Sequence, residues 1–324
     1  MKTTYALLLT LSLAGALASA QEQTTTPNTS TVKTTEVQKS EEQNKDIDNE
    51  ITNARMRASS GAKSKWSVKA DLTLNGGNLE RPFGKDRPNY AGISSQDGKS
   101  SLGGTVGVAY RLTEKDSFRL GTGVVLSTPF QDNIKDLGNA NGVKKSDVST
   151  PYLEWSHAMR TGSVQNIIGV NYSHATRSYD TDFVKTTGSI DLSHTMVAEI
   201  KGSNWQPGLS LDLNDSFFKD GKQDFDTLAN QEDGRVDYEV GLYPFVEYAF
   251  NDRYSFRTVF RFMTFDHYRS DNAATYLRQL YTQSMGVGIA MTRDIYLYPN
   301  LQFAPEHMSP DRTNVGLSTT LNVF

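Results

Sequence analysis

Cysteine is absent from all 324 residues, so no disulfide can brace the fold and no lipid can be attached at a processed cysteine. Long apolar runs are almost as scarce. Mean hydropathy is -0.52 and 22% of residues are charged, and beyond the first residues nothing approaches the roughly 18 apolar residues of a spanning helix. A helical membrane protein is thereby excluded. A formal net charge of -4 leaves no general attraction for nucleic acid, which is not expected as a partner. Also missing are a phosphate-binding glycine loop, a histidine pair at metal spacing and a nucleophile elbow, so no cofactor is implied.

What is present begins with an export signal. Lys2 supplies the charge, Tyr5 to Leu17 a mostly apolar run, and Ala18-Ser19-Ala20 the small residues ahead of cleavage at Gln21; residues 1–20 read as a signal peptide. From 21 to 63, Thr, Gln, Glu, Lys, Asn and Ser dominate, a composition too polar to fold alone, and this segment reads as flexible and periplasmic. Within it, Glu36 to Arg57 contains good helix formers and places Ile47, Ile51 and Ala54 at helical spacing. A short helix or plug that docks on something is the alternative to a solvated tail.

From 64 to 324 one pattern recurs: about ten residues alternating apolar and polar, closed by a polar turn. Trp66, Val68, Ala70, Leu72 and Leu74 are separated by Ser67, Lys69, Asp71 and Thr73, a period of two that only an extended strand with one apolar face satisfies. The same period runs through Tyr238 to Phe250 and through Met285 to Met291. Short turns such as Thr113–Asp116, Thr161–Ser163 and Asn251–Arg253 alternate with longer polar links, which yields twelve strands at about 65–74, 101–112, 117–129, 150–160, 164–174, 189–200, 205–214, 236–250, 253–265, 277–292, 295–304 and 313–324. The expected fold is all-β, a transmembrane antiparallel up-and-down barrel with its short turns in the periplasm.

Through its leader, its hairpin cadence and its terminal Phe324, the chain resembles the outer-membrane β-barrel proteins of Gram-negative bacteria, porins included. The resemblance implies outer-membrane lipid and lipopolysaccharide around the wall, the barrel-assembly machinery as a folding partner, and small solutes in the lumen. In that family the terminal aromatic is in phase with the apolar positions before it. Here Val315, Leu317, Leu321 and Val323 are one residue out of phase with Phe324, so a bulge, or a Phe lying past the final pairing, is expected. The outer-membrane phospholipases carry a His with a Ser two residues later on one strand; only His307 and Ser309 match, and Pro305 and Pro310 place them in a loop. Asp266-His267 is all that suggests the omptin proteases. Autotransporter translocators thread an N-terminal helix through the lumen, a role that residues 36 to 57 could fill. The acidic link from Asp215 to Asp233 lacks calcium-loop spacing.

If apolar positions face lipid, the alternate ones face the lumen. Asp191, Asp212, Glu239 and Glu247 then lie on one arc, while Arg257, Arg261 and Arg278, with Arg119 from the other side, bring the opposite sign. Glu247 and Arg257 flank a short turn and could pair across strands. Tyr243, Phe245, Val259, Met263, Phe265, Tyr296 and Tyr298 also point inward, an apolar patch for neighbouring wall side chains, for the segment carrying Ile47 and Ile51, or for an aromatic or sugar-like solute. The expectation is a non-enzymatic, porin-like channel for small polar or charged solutes. The alternatives are a non-conducting structural or surface-binding barrel and a hydrolase at the rim.

Overall fold

Large apolar side chains are on the outside of this protein and charged ones are inside. In the computed structural model, Leu120 is 66% exposed and Val148 69%, whereas Arg119 is 4% and Glu247 3% exposed. That inversion of the usual distribution is what a wall between lipid and a polar lumen requires. The structure describes residues 47–89, 98–131, 145–177, 180–181, 184–219, 236–261, 263–268, 276–278 and 281–324. The expected signal peptide and Asp220 to Asp233 lie outside these residues.

Twelve antiparallel strands among the described residues form the wall: β1 (Trp66–Asn78), β2 (Ser101–Arg111), β3 (Asp116–Ser127), β4 (Ser146–Thr161), β5 (Val164–His174), β6 (Thr186–Ala198), β7 (Trp205–Phe218), β8 (Val236–Ala249), β9 (Tyr254–Arg261 and Met263–Tyr268), β10 (Tyr276–Arg278 and Thr282–Ala290), β11 (Ile295–Phe303) and β12 (Asn314–Val323). Each pairs with its sequence neighbours, and β12 pairs back with β1 from Val68 opposite Val323 to Asn78 opposite Asn314. Among the described residues, closure leaves the barrel wall without an open edge strand.

The short turns form for local reasons. Asn251 Oδ1 accepts from the amides of Arg253 and Tyr254, each at 2.9 Å. Thr113 Oγ1 does the same for Lys115 and Asp116 at 3.1 and 2.9 Å. Gly162 and Gly202 adopt φ of +60° and +74°, which a side chain would oppose. Aromatic rings collect at this end of the wall. Trp66, Tyr110, Phe118 and Trp155 lie opposite one another across β1 to β4, and Trp205 meets Tyr248 with ring centroids 4.8 Å apart. Such a girdle suits the headgroup level of a bilayer.

All the strands expected from the sequence are present, and several, including β1, β4, β6 and β7, run further toward the longer links. One phase differs. Phe245 is opposite Val259, but Leu242 is opposite Met263, so β9 holds one extra residue between these pairs. This bulge reverses the faces beyond it: Phe265 is 38% exposed on the outer wall, while Thr264 and Asp266 are buried on the inner side. The inward placement expected for Phe265 is therefore corrected. Asp266 and His267 lie within β9 and not in a loop. At the other terminus, pairing ends at Val323, and Phe324 lies past it at φ +91°, which resolves the phase mismatch.

Candidate functional site: the lumen and its internal segment

Two short helices, α1 (Ile47–Glu50) and α2 (Ala54–Ser59), lie inside the barrel at its short-turn end. Neither is long enough to be stable in water, so the wall must hold them. Ile47, Ile51 and Met56 pack with Ala158, Val197, Phe245 and Val259, while Ala58 packs with Tyr296 and Tyr298. Ile51 and Val197 are both 0% exposed. Burying each large side chain contributes about 1.5–3 kcal/mol. Of the apolar patch expected on the inner wall, Phe245, Val259, Tyr296 and Tyr298 thus receive the segment carrying Ile47 and Ile51.

Asn53 separates the helices. Its extended backbone caps α2 and its Oδ1 accepts from Met56 N at 3.1 Å, while its Nδ2 donates to Gln206 Oε1 at 2.7 Å and Glu247 Oε2 at 2.6 Å. The amides of Thr52 and Asn53 both donate to Gln165 Oε1, at 2.8 and 2.9 Å. Arg160, Gln165 and Thr52 all bond to Glu199. Around the rest of the circumference, Lys69 Nζ donates to Ser59 O, Lys115 pairs with Glu50 at 2.7 Å, and Arg293 pairs with Asp48 at 2.7 Å while donating to Gly61 O. The segment is thus tied to walls on all sides by polar bonds that cost little when matched and much when one partner is removed.

These anchors outside the strands have shifted acidities. Burial would raise the Asp48 carboxyl, but hydrogen bonds and charge from Arg293 and Lys63 outweigh it and hold the group below its ordinary 3.8. Burial likewise opposes ionisation of Glu199, and Arg160 and Thr52 reverse the balance, leaving it below 4.5.

Beyond α2 the lumen opens into a cavity of about 420 Å³. Arg55 from α2 forms part of its boundary, with Asp212, Tyr243, Arg257, Arg261 and Ser284 from the wall and further hydroxyls and amides from β11 and β12. Of the residues expected to line the lumen, Asp212, Arg257 and Arg261 meet here. Glu247 is the partner of Arg257, with Nε to Oε1 at 2.8 Å. Glu239 is opposite Asp266 in register and accepts from Tyr243 Oη at 3.5 Å. Asp191 sits opposite Asn214. Arg119 is separate: it donates to Asp71 at 2.8 Å, Glu154 at 3.3 Å and Thr105 Oγ1 at 2.6 Å, with its guanidinium over the Tyr152 ring. Arg278 is opposite Phe265, and its side chain lies outside the described residues.

Sequence reasoning did not single out Arg55, Asp71 or Asp266 for the lumen. Asp71 was already visible among the polar alternates of β1. Asp266 was hidden by the bulge, and Arg55 by the absence of any local signal for where a six-residue helix docks.

No family model matches the chain, and no curated protein does. Among solved structures, an outer membrane channel from Pseudomonas putida F1 is similar with a TM-score of 0.51 at 16% identity, over 82% of this chain and 98% of that one. The NanC porin follows at 0.44 and 8% identity, covering 79% of this chain and 100% of that one. The KdgM porin gives 0.38 and 9%, with 80% and 99% covered. The closed twelve-stranded barrel, with an apolar exterior and a charged interior, has the fold of an outer membrane channel.

Proposed function

We propose that this protein is a channel for small polar or charged solutes, closed at rest by residues 47–60 of its own chain. The observation that carries this reading is the 420 Å³ cavity, bordered by Asp212, Arg257, Arg261 and hydroxyl side chains where a purely structural barrel would gain more from close packing. Charges that face a cavity need water or pairing, and a hydrated lumen supplies the water. In this reading Arg119, Asp191, Glu239 and Glu247 shape the potential along the path, and Arg278 belongs to the same group by its place in the sequence. A non-conducting barrel is the second reading, favoured by the complete burial of Ile51 against the wall.

Single-channel recording of the purified full chain in a planar bilayer tests the proposal. Brief openings from a closed baseline are expected, becoming long-lived in I51D, which places a carboxylate among Val197, Phe245 and Val259. Silence of both proteins, while they remain folded and heat-modifiable on a gel, would favour the non-conducting barrel.

A further inference from the structure

At the boundary between α2 and the cavity, the charges do not balance. Arg55 and Arg257 share a single carboxylate, Glu247, whose Oε1 lies 3.5 Å from Arg55 Nε and 2.8 Å from Arg257 Nε. The two guanidinium groups stack against the same ring, 5.1 and 4.7 Å from the Phe245 centroid. Arg55 Nη2 is buried and meets no hydrogen-bond acceptor among the described residues. Arg261 stands further along the same cavity, 5.5 Å from the Tyr243 ring centroid. Arg261 stands beside Asp212, on which Asp191 and Glu239 also act, so the excess of positive charge is that of Arg55 and Arg257 over Glu247 at the α2 boundary.

A guanidinium donates in a planar fork that matches two oxygens of one acceptor, and it loses hydration more readily than an ammonium. Burial, and then the positive charge of the adjacent Arg257, pull Arg55 down to about 10. The volume, about 420 Å³, exceeds what one carboxylate fills, and Tyr243, Tyr296 and Tyr298 are among the residues that line it.

We infer that the cavity is a binding site for a small organic carboxylate, gripped jointly by Arg55 of the internal segment and by Arg257 and Arg261 of the wall. Because one of the three guanidinium groups belongs to α2, the full grip exists only when the segment is docked. By linkage the ligand must then stabilise the docked state, so that a bound carboxylate holds the lumen closed. This runs opposite to a ligand that opens its own gate.

Two measurements on the full chain in detergent test it, and neither requires conduction, so failure here is distinct from failure of the channel reading. Calorimetric titration at fixed ionic strength with sodium benzoate should show saturable binding, with benzamide and benzylamine silent. R261Q, which alters a wall residue on the open side of the cavity, should weaken benzoate at least tenfold, and R55Q should do the same. Since the chain has no cysteine, I51C supplies a single thiol on the wall-facing side of the segment. Benzoate should slow its modification by a thiol reagent severalfold, and the added R55Q change should abolish that protection. Equal binding of benzamide or benzylamine, unchanged affinity in R261Q, absence of benzoate binding, or faster thiol modification with benzoate would each overturn the inference.

Discussion

Glu247 and Arg257 face each other directly across β8 and β9, carboxylate to guanidinium at 2.8 Å, and both are nearly buried. Asn53 of the internal segment bonds to the other oxygen of the same carboxylate at 2.6 Å. One wall residue therefore holds both a cross-strand pair and the cap of α2. Replacing it with Gln would leave Arg55 and Arg257 without their counter-charge, at a cost of about 3–5 kcal/mol. The E247Q barrel should lose its heat-modifiable band at a lower temperature, and proteolysis between residues 47 and 63 should accelerate before the wall is cut. An unchanged digestion pattern would mean that Glu247 does not hold the segment.

Ile51 carries no hydrogen-bonded side chain, so its truncation isolates packing. I51A should destabilise docking by about 2–5 kcal/mol. Thiol reagents should then reach a cysteine placed at Val197, which is fully buried in the native protein. Labelling of V197C as slow in I51A as in the otherwise native chain would argue that other contacts suffice.

The two faces of the wall should differ in their tolerance of charge. V287R puts a cation on the outer surface and should cost about 2–4 kcal/mol near mid-membrane. S284R puts the same group beside the cavity and should be milder. Equal shifts in the urea unfolding midpoint in lipid vesicles would contradict a hydrated lumen.

Acid should loosen one anchor. The Asp48 carboxyl is held below its ordinary 3.8 in the folded chain, so its contribution is complete above that value and is lost as pH falls through the lower folded one. Between pH 6 and pH 2.5, proteolytic exposure of residues 47–63, followed with an acid-active protease, should rise in the native chain. D48N should start from a higher exposure and rise less. An identical rise in both would place the acid-sensitive group elsewhere.

Orientation can be read with introduced thiols. D311C, in the link between β11 and β12, should react with an impermeant reagent on intact cells, and K201C, in the turn between β6 and β7, should not. Reversed labelling would invert the assignment of short turns to the periplasm.

The wall was legible in the chain because a strand writes its environment locally. Each residue from Trp66 to Leu74 alternates between lipid and lumen, and Asn251 and Gly202 close their turns through their own side-chain acceptor or backbone freedom. Strand count, closure order and the lumen-facing charges Arg119, Asp212, Glu247 and Arg257 follow from that period of two. The bulge in β9 was not legible, because one extra residue costs the sequence no visible signal yet exchanges Phe265 for Asp266 on the inner wall. Nor was the docking of α1 and α2. Ile47 and Ile51 marked an apolar stripe, but a stripe on a short helix acquires a meaning only from the surface that covers it, and that surface comes from Ala158, Val197, Phe245 and Val259 on four different strands. A closed wall with a polar interior can be read along the chain because alternation is a local property. That α1 and α2 fill the interior, and that Arg55 meets Arg257 over one carboxylate, depends on contacts between residues from roughly one hundred to two hundred positions apart, whose proximity no local pattern encodes.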